Sequence, residues 1–324
     1  MSLWIMGGKQ RIGFGKKPEH TMFESGVVAK LDDDGKAEKA FEYKTPPEHL
    51  APEKKSTVFK AATIVGDTAY LCTETEVLIC RLPDFEIQQL ISLPCFNDLH
   101  HVAPGPDGTL WIVSTGLDAV AEVSCDGELL RLIDVFGRDV WDKFSKETDY
   151  RLVASTKPHE SHPNYVFFLD GQPWATRFRQ KDAVNLHDPT QTMPVFKESI
   201  HDGHVLGDEV WFTAIDGHLI RVNSRSGESQ VTDLNELSTT PDRPLGWCRG
   251  LLRTEEGTWV GFSRLRHTRL KHNLSWIRHG FSNYAPLPTR LSLYDLDDFR
   301  VIREIDLEGA HLNAVFSIHE AGTE

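Results

Sequence analysis

An all-β fold built from one repeated unit is predicted by three features of this 324-residue sequence. An aromatic residue followed by a short β-prone run and a second apolar run occurs six times, most clearly in LWIVSTGLDAV (110–120) and VWFTAIDGHLI (210–220). Gly or Asp turns precede most copies, as in PDGTLW and LGDEVW, and indicate a β-hairpin. A further strand pair usually follows, joined by tight turns such as CDGE and RSGE. Each unit is therefore predicted to contain four strands.

The six units follow one another along the chain. Their marker residues are Trp4, Tyr70, Trp111, Trp174, Trp211 and Trp259. Four antiparallel strands repeated at about 40 residues are typical of propeller blades, and we expect the aromatic residues to pack between blades. After the last full unit one strand remains, NAVFSIHE (313–320), whereas the N-terminal segment supplies three, LWIMGG, SGVVAKLD and KAFEYKT. The sequence thus predicts a single six-bladed β-propeller domain over 1–324, closed by one C-terminal strand plus three N-terminal strands. A β-sandwich with coincidental Trp placement is the alternative.

This blade pattern resembles the six-bladed propellers of the NHL, TolB-like and SMP-30 type over nearly the whole chain. The resemblance rests on the repeat and not on a diagnostic motif. It implies the architecture much more than any chemistry.

Composition limits the classes of function. A net charge of −13 argues against broad attraction to nucleic acid or anionic lipid, so we expect neither as a partner. No apolar run approaches the roughly 18 residues that a membrane-spanning helix needs. The five cysteines lack C-x-x-C spacing and the N-terminal residues lack a signal-peptide pattern, which favours a cytoplasmic setting.

Polar residues stand at equivalent positions before the first strand of each unit. The units align on the apolar residues Ile64, Val102, Val166, Val205, Leu251 and Val315. Four positions earlier the residues are Lys60, Asp98, His162, His201, Trp247 and His311, and two positions earlier they are Ala62, His100, Asn164, Gly203, Arg249 and Asn313. Because innermost strands of a propeller converge on its axis, we expect the histidines to meet at one mouth.

A divalent-metal site is one interpretation of these residues. Imidazole nitrogens with a carboxylate suit Zn, Fe or Mn, so His162, His201 and His311 with Asp98 form the predicted set, and His100 is the further candidate ligand. The alternative, held at equal weight, is a polar channel whose side chains bond to each other and to water.

The histidine set is similar to the three-histidine zinc site of peptidylglycine amidating lyase, which is also a six-bladed propeller. It is more loosely similar to streptogramin lyase and to the four-histidine iron ring of carotenoid oxygenases. The resemblance implies a metal-dependent enzyme. In SMP-30-type lactonases the metal site includes an acidic residue of the first blade, where this chain has Lys60, so that activity is not transferred.

We therefore predict a metal-dependent enzyme of lyase or hydrolase type, in which the ion activates water or polarises a substrate oxygen. Arg249 and Asp98 are the predicted catalytic residues. The Arg249 guanidinium keeps its charge, so it either orients an anionic substrate or pairs with a carboxylate of the protein. The alternative is a non-catalytic propeller that binds a ligand or a protein.

Three long insertions, 8–25, 136–160 and 264–289, are predicted to emerge on the histidine-bearing face. The last contains Arg264, Arg266, Arg269, Lys271 and Arg278 and no acidic residue. Such a rim would attract a small molecule with a carboxylate, phosphate or sulfate group. The predicted substrate-binding residues are Arg249, Arg266, Arg269 and Lys271. Contact between copies of the chain through 264–289 is the alternative.

Overall fold

A computed structural model describes residues 1–11, 21–53, 56–195, 199–265 and 287–322. These residues form six four-stranded antiparallel sheets arranged as a six-bladed β-propeller. The predicted fold class is therefore confirmed.

The strands are numbered along the chain, and each blade takes four of them. The N-terminal strands are β1 (Leu3–Gln10), β2 (Phe23–Leu31) and β3 (Ala37–Tyr43). The next two blades contain β4 (Thr63–Val65), β5 (Thr68–Cys72), β6 (Val77–Arg81) and β7 (Glu86–Ile91), then β8 (Leu99–Pro104), β9 (Leu110–Ser114), β10 (Ala119–Val123) and β11 (Leu129–Asp134). The following two contain β12 (Pro163–Leu169), β13 (Gln172–Arg177), β14 (Asp182–Asn185) and β15 (Thr192–Pro194), then β16 (His204–Leu206), β17 (Glu209–Thr213), β18 (His218–Asn223) and β19 (Ser229–Asp233). The last strands are β20 (Trp247–Thr254), β21 (Gly257–Ser263), β22 (Arg290–Asp295), β23 (Arg300–Asp306) and β24 (Ala314–Glu320).

Short 3-10 helices lie in the connections between strands. They span Pro47–His49, Thr115–Leu117, Val140–Asp142, Tyr150–Leu152 and Glu308–Ala310. Among the described residues, no helix is long and apolar enough to cross a membrane.

The ring closes as predicted, because β24 forms one sheet with β1, β2 and β3 in the order β24-β1-β2-β3. Ile318 of β24 lies opposite Ile5 of β1 in the antiparallel register. The two ends of the chain thus hold one blade together, which removes the edges that an open sheet would expose.

The repeated aromatic residues pack between neighbouring blades. The Trp111 ring meets Phe168 of the next blade edge to face, with centroids 5.9 Å apart, and Trp4 meets Phe85 in the same way at 5.0 Å. Such pairs add about 0.5–1.5 kcal/mol each beyond the burial of their surface.

The innermost strands β4, β8, β12, β16, β20 and β24 run in the same direction around the axis. A parallel bridge between Ala61 and His101 joins the entries of two of them. Residues just before these strands therefore gather at one end of the axis, which we call the axial mouth.

The strand ends that flank two of the predicted insertions lie at this same face. The β1–β2 pairing ends at Gln10 opposite Phe23, close to the start of β24, where Ala314 lies opposite Gly8. In the blade of β20 to β23, Ser263 at the end of β21 lies opposite Trp247 at the start of β20. The connection 136–160 joins two blades, whereas 12–20 and 266–286 lie outside the described residues.

Candidate functional site at the axial mouth

Three of the four predicted histidines meet at the axial mouth. The His100 ring centroid is 5.1 Å from that of His162 and 5.8 Å from that of His201. His100 and His201 are buried. Radial convergence of the inner strands thus brings together imidazoles from three different blades.

A fourth imidazole, His159, joins this group, and we call His100, His159, His162 and His201 the histidine cluster. The Nδ1 atoms of His159 and His162 are 2.8 Å apart, and the two rings stack with centroids 5.1 Å apart. Asp98, His159 and His162 each place one ligand atom within 4.8 Å of the others. This is the spacing from which a metal ion could be bound.

A carboxylate in the neighbouring blade fixes the backbone of the loop that carries His159 and His162. Asp118 accepts hydrogen bonds from the backbone N–H groups of residues 160, 161 and 162, at 2.8, 3.0 and 2.8 Å. Lys143 donates to the same carboxylate at 3.0 Å. His162 itself has a left-handed backbone, with φ of 62°, which turns the chain into β12. One buried side chain, Asp118, therefore holds the backbone of this loop.

His201 is oriented by its neighbour Asp202. The His201 Nδ1 atom lies 3.0 Å from Asp202 Oδ1, while Asp202 Oδ2 accepts hydrogen bonds from Thr213 Oγ1 at 2.8 Å and from the Gly250 N–H at 2.6 Å. Burial raises the pKa of the Asp202 carboxyl, but its hydrogen bonds, that from His201 first, lower it below the usual value. An ionised Asp202 can only accept, so His201 Nδ1 carries the proton.

The other nitrogen of His201 is therefore a lone-pair donor. His201 Nε2 is buried and has no hydrogen-bond partner among the described residues. A buried polar atom without a partner is costly in a folded protein unless an ion or water completes it. An imidazole whose second nitrogen is held by a carboxylate is the usual arrangement of a metal-binding histidine.

His100 has the same tautomer as His201, but a different acceptor determines it. Its Nδ1 atom lies 2.8 Å from the backbone carbonyl oxygen of Asp98 and 2.8 Å from Thr115 Oγ1, which itself donates to the carbonyl of Pro163 at 2.5 Å. A carbonyl oxygen only accepts, so His100 Nδ1 carries the proton and Nε2 has the lone pair.

The imidazoles of the cluster are neutral at neutral pH. Burial lowers the pKa of His162 to about 3 and that of His201 to about 4. Burial, and then the charge of Lys60, place the pKa of His100 well below its usual value. Neutral imidazole is the form that binds metal ions.

Two cationic side chains flank Phe316 beside the cluster. The Lys60 Nζ atom is 5.2 Å from the Phe316 ring centroid, and the Arg249 guanidinium carbon is 4.6 Å from it. The His201 ring lies 5.9 Å from the same centroid, and the charge of Arg249 contributes to the lowered pKa of His201 after burial. The structure thus places Arg249 next to the cluster.

Lys60 is a buried ammonium between two carboxylates. Its Nζ atom is 3.6 Å from Asp98 Oδ1 and 3.6 Å from Glu74 Oε1. The predicted catalytic residue Asp98 therefore lies between the imidazoles and a cation.

His311, the remaining predicted histidine, lies apart from the cluster. The His311 side chain is exposed. With other side chains it lines a cavity of about 370 Å³, formed by Lys9, Gln10, Arg11, Arg264, Glu308, His311 and Asn313. Arg266, Arg269 and Lys271 lie outside the described residues.

Sequence reasoning did not identify His159, Lys60 or Glu74 as members of the site. A signal for His159 was present, since HESH places a second histidine three residues before His162. Lys60 stands at one of the aligned positions, where the sequence indicates only a departure from SMP-30-type lactonases. Glu74 lies beyond β5, in a connection that the alignment of inner strands does not cover.

No family model and no curated protein matches the sequence. Among solved structures, a protein of unknown function from Bacteroides caccae has a TM-score of 0.61 and 12% identity, covering 98% of this chain and 97% of that chain. A chain of the nidogen/laminin complex has a TM-score of 0.57 and 9% identity, covering 98% and 97%. Virginiamycin B lyase from Staphylococcus aureus has a TM-score of 0.47 and 13% identity, covering 72% and 69%. At these identities the likeness shows the propeller fold alone, and the NHL, TolB-like or SMP-30 type stays a prediction.

Proposed function

We propose that this protein is a metal-dependent enzyme of lyase or hydrolase type that acts on a small anionic substrate at the axial mouth. The observation that carries the proposal is the buried, unpartnered Nε2 atom of His201 beside two further neutral imidazoles. Water alone could complete this atom, but a divalent ion also accounts for the carboxylate behind Nδ1.

The donors present fit a divalent ion such as Zn, Fe or Mn. In the proposal Asp98, His159 and His162, whose ligand atoms lie within 4.8 Å of one another, hold it together with the neighbouring imidazoles of His100 and His201. His311 is left out of the proposed ligands because its side chain is exposed and lines the separate cavity. When bound, the ion would lower the pKa of a water molecule or polarise a substrate oxygen.

In the proposal the cations beside Phe316 bind the negatively charged group of the substrate. Arg249 keeps its proton at all relevant pH values, so it orients an anionic group through its guanidinium. Lys60 lies within 3.6 Å of Asp98 Oδ1 and orients that carboxylate, which is the proposed general base. These are the proposed roles of Arg249, Lys60 and Asp98.

Elemental analysis tests the proposal directly. The protein is loaded separately with Zn²⁺, Fe²⁺ and Mn²⁺, freed of unbound ion, and compared with His201→Ala and His187→Ala variants. We expect about one tightly held ion per chain in the parent and in His187→Ala, whose ring lies on the surface and contacts Gln172. The His201→Ala variant should lose most of the metal. Parent protein that holds no stoichiometric ion after loading would end the metalloenzyme proposal.

The alternative is a non-catalytic propeller that binds an anionic ligand or a protein at the same mouth. The Lys60 ammonium favours it, because it already supplies a positive charge to Asp98 and Glu74. A chain that binds small carboxylates equally well with and without metal, and turns none of them over, would support this function.

A further inference from the structure

The cavity beside β24 is positively charged in a strongly acidic protein. We call it the seam cavity, because Gln10 and Asn313 belong to the N-terminal and C-terminal segments that close the ring. Its lining contains the cations of Lys9, Arg11 and Arg264 and the carboxylate of Glu308, and Lys9 also pairs with Glu24 outside the lining at 3.3 Å, whereas the whole chain has a net charge of −13. Cations gathered in a concave site of an acidic protein attract and hold anions.

The seam cavity has a built polar framework. The Gln10 N–H donates to Asn313 Oδ1 at 2.8 Å, and Arg264 Nη2 donates to Gln10 Oε1 at 2.6 Å. The backbone N–H of Arg264 donates to Thr289 Oγ1 at 3.2 Å. Arg264 is therefore held at both its backbone and its guanidinium, which fixes the direction of the remaining N–H groups.

Glu308 already pairs with one of the cations that line the seam cavity. Arg264 Nη1 lies 3.3 Å from Glu308 Oε1, and the same oxygen accepts a hydrogen bond from the Thr289 N–H at 3.2 Å. Both partners of the Arg264–Glu308 pair are about one third exposed, at 34% and 30%, so the pair is open to competition by another anion.

We infer that the seam cavity binds the carboxylate or phosphate group of a small molecule, with Arg264 as its principal contact and Glu308 as an internal competitor. The cavity volume of about 370 Å³ falls within the range of small-ligand sites. The inference goes beyond the proposed metal chemistry, because no residue of the histidine cluster lines this cavity. It also gives His311 a place as a neighbour of the anion.

Calorimetric titration with inorganic phosphate and with succinate tests the inference, on protein passed over a chelating resin so that neither a metal nor a competing carboxylate contributes. The parent chain should bind at least one of these probes at constant chloride concentration, and the preferred probe identifies the anionic group. Arg264→Gln should weaken binding about tenfold, as expected for loss of a charge-assisted hydrogen bond.

A second variant, Glu308→Gln, distinguishes an effect on anion binding from an effect on structure, because it is expected to raise the affinity. Glu308→Gln keeps the acceptor for the Thr289 N–H but removes the competing charge, so it should tighten binding about threefold. Arg225→Gln is the matched control, because Arg225 is 79% exposed and pairs with Asp208 away from the cavity. Absence of binding to both probes, weaker binding in Glu308→Gln, or equal losses in Arg264→Gln and Arg225→Gln would overturn the inference. Because it is measured without metal, its failure leaves the proposed function untouched.

Discussion

The protonation of single nitrogen atoms determines what the axial mouth can bind. At His201 the acceptor is the side chain of Asp202, and at His100 it is the carbonyl oxygen of Asp98. Both acceptors place the proton on Nδ1 and leave the Nε2 lone pair available. Two unrelated local contacts thus produce the same tautomer in two blades, which is what a shared ligand requires.

A second group of imidazoles lies further along the inner strands. The His101 ring stacks on Tyr165 with centroids 3.6 Å apart, and its Nδ1 atom accepts a hydrogen bond from the Val166 N–H at 3.2 Å. His204 and His319 each bury an Nε2 atom that has no hydrogen-bond partner in the part of the chain that the structure describes. The His101 and His204 rings both lie against Tyr165 of β12.

His319 gives a test at the scale of one residue. Burial, followed by the charge of His204, lowers its pKa from 6.5 to about 3, opposed by a hydrogen bond to the backbone of Ala62. Between these values the unfolded chain binds a proton that the native chain does not, so the free energy of unfolding falls as the pH drops from 6.5 towards 3.

His319→Gln should reduce this slope by up to about 1.4 kcal/mol per pH unit, the value for one proton. Urea unfolding of metal-free protein at a series of pH values measures it, with His187→Gln as the exposed control. Parallel pH profiles for His319→Gln and the parent would contradict the prediction.

A single turn between β9 and β10 positions residues from two parts of the cluster. Thr115 contacts His100 Nδ1, Gly116 accepts a hydrogen bond from Thr156 Oγ1 at 2.5 Å, and Asp118 holds the backbone of residues 160–162. This turn belongs to STGLD, part of the repeated phrase that identifies the blades. The repeat therefore supplies both the blade and the support of the site.

Asp118→Asn tests the role of this turn. The change keeps one oxygen acceptor but removes the charge and the second acceptor, leaving buried N–H groups of residues 160–162 underbonded. Stability should fall by about 1–3 kcal/mol.

If Asp118 only stabilises the fold, Asp118→Asn changes stability and leaves Zn²⁺ affinity unchanged. If Asp118 also positions the site, Zn²⁺ affinity falls by about 10- to 100-fold. Competition with a chromogenic chelator measures that affinity, and Asp126→Asn in the exposed turn after β10 is the control. Unchanged affinity in a folded Asp118→Asn variant would remove Asp118 from the support of the site.

For the molecule as a whole, the features that the sequence predicts correctly are those that the repetition of the blade determines. The blade count, the closing strand and the placing of His162 and His201 at one mouth follow from equivalent positions in a repeated unit, whereas His100 joins them from a position two residues further along its unit. Side-chain direction does not follow from that symmetry: His162 and His311 share a left-handed backbone, yet His311 is exposed. His159 belongs to an insertion outside the repeat, so only its spacing from His162 could have indicated it.

Ring closure makes one buried isoleucine matter to the whole propeller. Ile318 of β24 is 1% exposed and packs in a core cluster with Ile5 of β1 and Trp259 of β21. This cluster joins the closing blade to the preceding one, so a cavity there weakens the contact between the two ends of the chain. Truncating a buried isoleucine to alanine typically costs about 2–5 kcal/mol.

Ile318→Ala should therefore destabilise the chain by about 2–5 kcal/mol, whereas Ile302→Ala in the outer strand β23, where the side chain is 40% exposed, should cost less than about 1 kcal/mol. Guanidinium unfolding followed by tryptophan fluorescence measures both. If closure couples the blades, the Ile318→Ala transition stays single and moves to lower denaturant. Removing a fully buried side chain between two blades leaves a larger cavity than trimming a side chain that already faces solvent. Equal losses of stability in the two variants would therefore show that the contact between the chain ends contributes no more than an outer strand does.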